Sequence, residues 1–231
     1  MRILVVVTNC AQYAQHPIRT GLWLSEVTHL LEECKQHGIS VDFASPLGGE
    51  TPVDPESLRP LVLDQTSYRY HSDSTFIDTL KNTKSIKDLS VDYYDVIYLS
   101  GGHGTMYDFV GNESLNALVQ QFYESGKIVS AICHGVCGLI DVKLSNDDYL
   151  INNKSLTGYS WFEELLARRR KQVPFNLEKT LQERGAIYRK AFFPLTSNVV
   201  IDQNLITGQN PFSSREMARK LVEILNQKNK P

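Results

Sequence analysis

The chain has 231 residues, 42% of them hydrophobic and 22% charged, an ordinary globular composition that excludes disordered, collagenous and low-complexity classes. Lys and Arg total 24 against 26 Asp and Glu, so the net charge of −2 gives no electrostatic reason to expect nucleic acid. Apolar runs all fall short of the roughly 18–20 residues that span a bilayer, and four cysteines do not make a disulfide scaffold.

In chain order, Ile3–Val7 is a Val-rich apolar run expected of a strand covered on both faces. It is too short for a signal peptide, so the chain is expected to be cytoplasmic, with reduced thiols. Pro17 is expected to open a helix carrying Leu22, Leu24, Val27, Leu30 and Leu31 and ending near Gly38. A second strand is expected over Ile39–Ala44, and Asp54–Lys87 reads as an excursion with short helices. Asp95–Leu99 is a third strand, and Leu115–Tyr123 a helix capped by Gly126. Ile128–Ile132 is a fourth strand, followed by a small-residue helix over Gly135–Leu139.

Helices are expected over Trp161–Lys171 and Leu177–Arg184, and short strands over Ala186–Tyr188, Val199–Ile201 and Leu205–Thr207. Arg215–Leu225 closes the fold as an amphipathic helix, and Gln227–Pro231 reads as a frayed polar tail. The basic run Arg168–Lys171, flanked by Glu163 and Glu164, reads as a solvated helix face. Alternating strands and helices predict an α/β, flavodoxin-like three-layer sandwich with a mostly parallel sheet. One domain over 1–231 is expected, with insertions at about 50–90 and 144–195. In such sheets the site lies at the carboxyl ends of the strands, which singles out the residues just after Val7, Leu99 and Ile132.

Ile128–Gly135 runs a buried strand directly into Cys133-His134-Gly135. A sharp strand-to-helix turn lifts its central residue out of the sheet under strain. The following helix N-terminus is expected to lower the thiol pKa and make Cys133 a nucleophile. His134 serves as base, acid or donor. No histidine comes after it in the chain, which excludes papain-like proteases, α/β-hydrolases and a glutamine amidotransferase with a late His-Glu pair.

Gly101-Gly102-His103-Gly104 comes directly after another buried strand. It does not match the dinucleotide pattern, having Met at 106. An oxyanion hole from the Gly102 and His134 N–H groups fits better, with His103 beside it as a substrate-binding residue. Glu26, among apolar helical neighbours, is expected to be partly buried and so suited to proton transfer. Cysteine and histidine spacings do not pair up as a zinc site, so no metal is expected. Cys10, Cys34 and Cys137 read as core or loop residues. An exposed, low-pKa Cys133 would also be open to oxidation.

Together these motifs resemble the ThiJ-type, class I glutamine-amidotransferase-like superfamily, in its glutathione-independent glyoxalase and heat-shock chaperone branch. Thr20-Gly21-x-x-x-x-Glu26 resembles the family's acidic segment, Ser100–Thr105 its glycine turn, and Ala131-x-Cys133-His134-Gly135 its nucleophile elbow. Leu156–Tyr159 and Leu205–Pro211 resemble two later segments. The resemblance implies Cys133 as nucleophile, His134 as its neighbour and Glu26 as acid/base. It also implies a third triad member six positions after Thr157-Gly158, which falls on Glu164 with Glu163 beside it. It implies no cofactor, a homodimer, a small 2-oxoaldehyde substrate such as methylglyoxal, and unfolded proteins as a further class of partner. A holdase chaperone, a cysteine amidase or peptidase, and a protein deglycase are the other activities such a site could serve.

Overall fold

A computed structural model describes residues 1–228; the last three residues of the expected polar tail lie outside them. Nine strands and eight α-helices are found among the described residues. In chain order they begin β1 (Arg2–Val6), α1 (Leu24–Gln36), β2 (Ser40–Ser45), α2 (Gln65–His71), α3 (Ser74–Lys81) and β3 (Lys84–Ser85). The middle third holds β4 (Val96–Leu99), α4 (Thr105–Asp108), α5 (Glu113–Glu124) and β5 (Ile128–Ile132). Then come β6 (Ser155–Leu156), α6 (Trp161–Leu166), α7 (Leu177–Glu183), β7 (Ile187–Tyr188), β8 (Val199–Asp202), β9 (Leu205–Gly208) and α8 (Ser214–Lys228).

Seven strands form one sheet in the order β3-β2-β1-β4-β5-β9-β8. Every pairing is parallel except the β8–β9 edge. β1, β4 and β5 are central and covered on both faces, which explains their unbroken apolar sequences. Side-chain alternation splits each strand between two cores. Leu4, Val6, Ile97, Leu99, Val129 and Ala131 pack on the side of α5. Ile3, Val5, Val96, Tyr98 and Ile128 pack against α1 and α8. This is the expected mostly parallel, helix-flanked sheet. No helix among the described residues is long and apolar enough to cross a membrane.

Several expected elements differ. Pro17 does not open α1. Residues 10–23 form a loop in which Thr20 N–H donates to Ala11 O and Thr20 Oγ1 donates to the Asp54 carboxylate. Leu22 sits before the helix, bridged to Val53 in extended conformation. The small-residue helix is a 3₁₀ turn that already starts at Cys133 and runs to Leu139. The helix expected over Trp161–Lys171 stops at Leu166, because Arg168 takes a left-handed φ of +57°. Its basic run is therefore not a solvated helix face: Arg170 lies over the Trp161 ring and donates to the Trp161 carbonyl. The strand expected at Ala186–Tyr188 leaves the main sheet and pairs with β6 in a sheet of two. The segment 50–90 contributes the edge strand β3, and 144–195 carries Glu164.

Candidate active site

The carboxyl ends of β4 and β5 and the start of α1 converge on one point. Cys133 comes directly after β5 with φ +57°, a conformation that costs an L-residue roughly 1–2 kcal/mol. Gly135 makes that turn possible, since a Cβ there would lie 2.5 Å from the carbonyl oxygens of Leu99 and Ser100. The strained elbow expected from the sequence is present.

Glu26 is not partly but wholly buried, with 0% exposure. Its Oε2 accepts the Gly101 N–H at 2.6 Å, and Oε1 has no hydrogen-bond partner. Gly101 is the spacer between acid and thiol: a Cβ on it would lie 2.8 Å from Glu26 Oε2 and 3.0 Å from Cys133 Cβ. Burial pushes the Glu26 carboxyl up to about 8, against the opposing hydrogen bonds of Cys133 and the Gly101 N–H. Glu26 therefore carries its proton at neutral pH.

Cys133 departs from the expected exposed, low-pKa thiolate. It is 2% exposed. Burial raises its thiol pKa, and the neighbouring Glu26 charge raises it further, outweighing the His134 backbone N–H. A helix terminus contributes up to about 2 kcal/mol, whereas full burial shifts a pKa by up to about 3–5 units. Burial wins, and the resting sulfur is a thiol.

On its other side, Cys133 Sγ lies 3.4 Å from His134 Nδ1, and His134 Nε2 lies 2.7 Å from Glu164 Oε2. A carboxylate only accepts, so His134 Nε2 carries the hydrogen. Burial, and then the charge of His103, lower the His134 imidazole to about 4. The ring is neutral, and its bare Nδ1 faces the sulfur. Glu164 holds a second histidine as well, with His103 Nε2 2.8 Å from Oε1. Burial opposes ionising Glu164, but the electrostatic interactions and hydrogen bonds of His103 and His134 outweigh it and hold the carboxyl far below the usual range.

Glu163 and Glu164 point in different directions. Glu163 turns back into a capping box with Ser160 and accepts from Gln209 and Asn210. Glu164, one residue on, faces the histidines. Sequence reasoning missed the His103–Glu164 bond, since it assigns His103 only to substrate. It also missed Tyr159, whose ring stacks at 4.5 Å on His134; the signal was its place directly after Thr157-Gly158. His103, His134 and Glu164 bring three ligand-type atoms within 4.8 Å of one another, yet both carboxylate oxygens are already taken by histidine nitrogens.

Gly102 has φ +104°, and a Cβ on it would lie 2.0 Å from Gly21 O. Gly102→Ala is expected to destabilise the fold by about 3 kcal/mol or more. Thermal denaturation should then show Tm falling by roughly 6–12 °C. Cys34 and Cys137 are buried in the core, Cys137 donating to Thr105 O, and Cys10 donates to Gln12 O. None of the three enters the cluster.

The cluster opens into a cavity of about 550 Å³ lined by Cys133, His134, His103, Trp23 and Tyr159, with Leu61, Val62, Leu195 and Phe212 farther out. The DJ-1/PfpI family profile matches residues 18–224. The chain belongs to the DJ-1/PfpI family. It is 30% identical over 218 residues to the glutathione-independent glyoxalase HSP31 of Saccharomyces cerevisiae, covering 90% of each chain. The crystal structure of glyoxalase III from Candida albicans superposes with a TM-score of 0.86 at 26% identity, over 96% of both chains. The Rapid Encystment Protein of 24 kDa from Francisella tularensis superposes with a TM-score of 0.91 at 36% identity, over 96% of this chain and 97% of that one.

Proposed function

We propose that this protein is a glutathione-independent glyoxalase, a lyase that adds water across a 2-oxoaldehyde to give the 2-hydroxy acid, methylglyoxal to lactate being the simplest case. One observation carries the reading: a thiol on a strained elbow sits between two proton carriers, the Glu26 carboxyl and the bare Nδ1 of His134. Its relatives named as glyoxalases support the same conclusion. Cys133 opens into a cavity while almost wholly buried, which suits a terminal aldehyde carbon better than the peptide bond of a chain.

The Cys133 sulfur attacks the aldehyde carbon, and because the resting group is a thiol its proton leaves as the S–C bond forms, to His134 Nδ1. Glu164 orients that ring and balances its transient charge. The aldehyde oxygen becomes the hemithioacetal oxygen, and the N–H groups of Gly102 and His134 are assigned to it. Ionised Glu26 then removes the C1 proton while His134 Nδ1 gives the former thiol proton to the C2 oxygen, and Glu26 delivers its proton to C2 of the resulting enediol, leaving a thioester and a neutral His134. A carboxyl with a pKa near working pH is a stronger base than an ordinary one once ionised. Water hydrolyses the thioester, releasing the hydroxy acid and restoring the thiol. No outside oxidant or reductant is needed, since the aldehyde is oxidised as the ketone is reduced.

The test is formation of 2-hydroxy acid from purified protein and 2-oxoaldehyde with no glutathione present. Lactate from methylglyoxal is the expected product. Absence of hydroxy acid from methylglyoxal and from its larger homologues would overturn the reading.

A further inference from the structure

We propose that the preferred 2-oxoaldehyde carries a neutral, apolar substituent of about phenyl size or larger in place of the methyl group of methylglyoxal. The proposal rests on the glyoxalase reading above and names the substrate class of that site.

Size is the first observation. Methylglyoxal has five non-hydrogen atoms, whereas the cavity over Cys133 holds about 550 Å³, within the roughly 300–1,000 Å³ of pockets that take drug-sized ligands. A methyl group covers little of this wall. Lining is the second. Beyond the reacting cluster the apolar part of the wall is formed mainly by Trp23, Tyr159, Leu61, Val62, Leu195 and Phe212. Phe212 is 58% exposed and Leu61 fully exposed, so their apolar surface stands unused at the cavity lip. Covering it with substrate removes that surface from water.

Charge is the third. The cavity wall carries two arginines, and each already has a carboxylate. Arg169 lies 3.4 Å from Glu56, and Arg215 lies 2.8 Å from Asp64. Asp64 is also 2.5 Å from His29. Glu56 is shared with Arg59 at 2.6 Å, so the cations outnumber the anions, but each arginine of the wall has a carboxylate beside it. A charged tail would have to break one of these pairs, whereas an aryl or alkyl tail leaves them intact.

The experiment is steady-state kinetics without glutathione on methylglyoxal, 2-oxopentanal, 2-oxooctanal and phenylglyoxal, with product read as the matching hydroxy acid. The kcat/KM for phenylglyoxal and 2-oxooctanal is expected to exceed that for methylglyoxal at least tenfold, chiefly through a lower KM. Each methylene that is fully buried contributes up to about fourfold, the equivalent of about 0.8 kcal/mol. Phe212→Ser is expected to reduce the phenylglyoxal-to-methylglyoxal ratio at least threefold, again through KM. If methylglyoxal is turned over as well as or better than the larger aldehydes, the size inference is wrong and the glyoxalase reading stands. If no aldehyde yields hydroxy acid, the glyoxalase reading itself fails. A larger-substrate preference that Phe212→Ser leaves unchanged would overturn the assignment to this wall.

Discussion

Cys133→Ala is expected to lower kcat/KM for 2-oxoaldehydes by about 10⁴-fold or more, over 5 kcal/mol of transition-state stabilisation, because the covalent route vanishes with the sulfur. Stability should hardly move. Alanine keeps the Cβ, so the +57° backbone is no more strained than before, and only the buried sulfur is lost. That loss is of order 1 kcal/mol, a Tm change of roughly 2–4 °C. Activity and melting are measured on the same preparation, so an unfolded variant cannot pass for an inactive one. Retention of more than a tenth of the wild-type rate would show that the thiol does not form the intermediate. Cys137→Ala makes the contrast: it removes a buried thiol that donates to Thr105 O and does not enter the cluster, so its effect should be on stability.

How far the sequence discloses this site depends on which force set each part. β1, β4 and β5 are legible because burial on both faces leaves continuous apolar runs, and the residues after β4 and β5 then have to be the site. β3, β6 and β7 have two residues each, too few for any periodicity, and they exist because partners pair with them. α6 is shorter than its sequence suggests because the arginines after Leu166 favour a helix, whereas the turn at Arg168 serves the packing of Arg170 on Trp161. Glu163 and Glu164 are inseparable by counting, since adjacent helical residues point about 100° apart and only the surroundings say which way is inward. The thiol defeats sequence reasoning for a related reason. A helix start is visible in sequence, but the depth of burial that overrides it is a property of the whole fold.

Glu26→Gln tests whether one titration governs both rate and stability. Glutamine retains an acceptor for the Gly101 N–H and loses only the proton chemistry. A fall in kcat of about 10²–10⁴-fold is expected. Wild-type kcat/KM should rise roughly tenfold per pH unit toward about 8, where buried Glu26 ionises, and then level off; the rise should be missing from the variant. Stability moves the opposite way. In the unfolded chain a glutamate ionises near 4.3, while in the fold Glu26 holds its proton to about 8. Between those values unfolding releases a proton. The contribution is therefore fully present below the unfolded pKa, declines as pH rises, and is lost as pH passes through about 8. Urea denaturation of both proteins from pH 4 to 9 reads this directly. Relative to wild type, the glutamine variant should gain on the order of 5 kcal/mol between the two ends of that range. A constant difference between the two proteins across the range would mean that Glu26 is already ionised in the resting fold, and the protonated-acid account would then fail. If the difference does grow with pH, the ionised form that abstracts the C1 proton is also the less stable form of the protein, and the site's basicity is drawn from the cost of burying Glu26 beside Cys133.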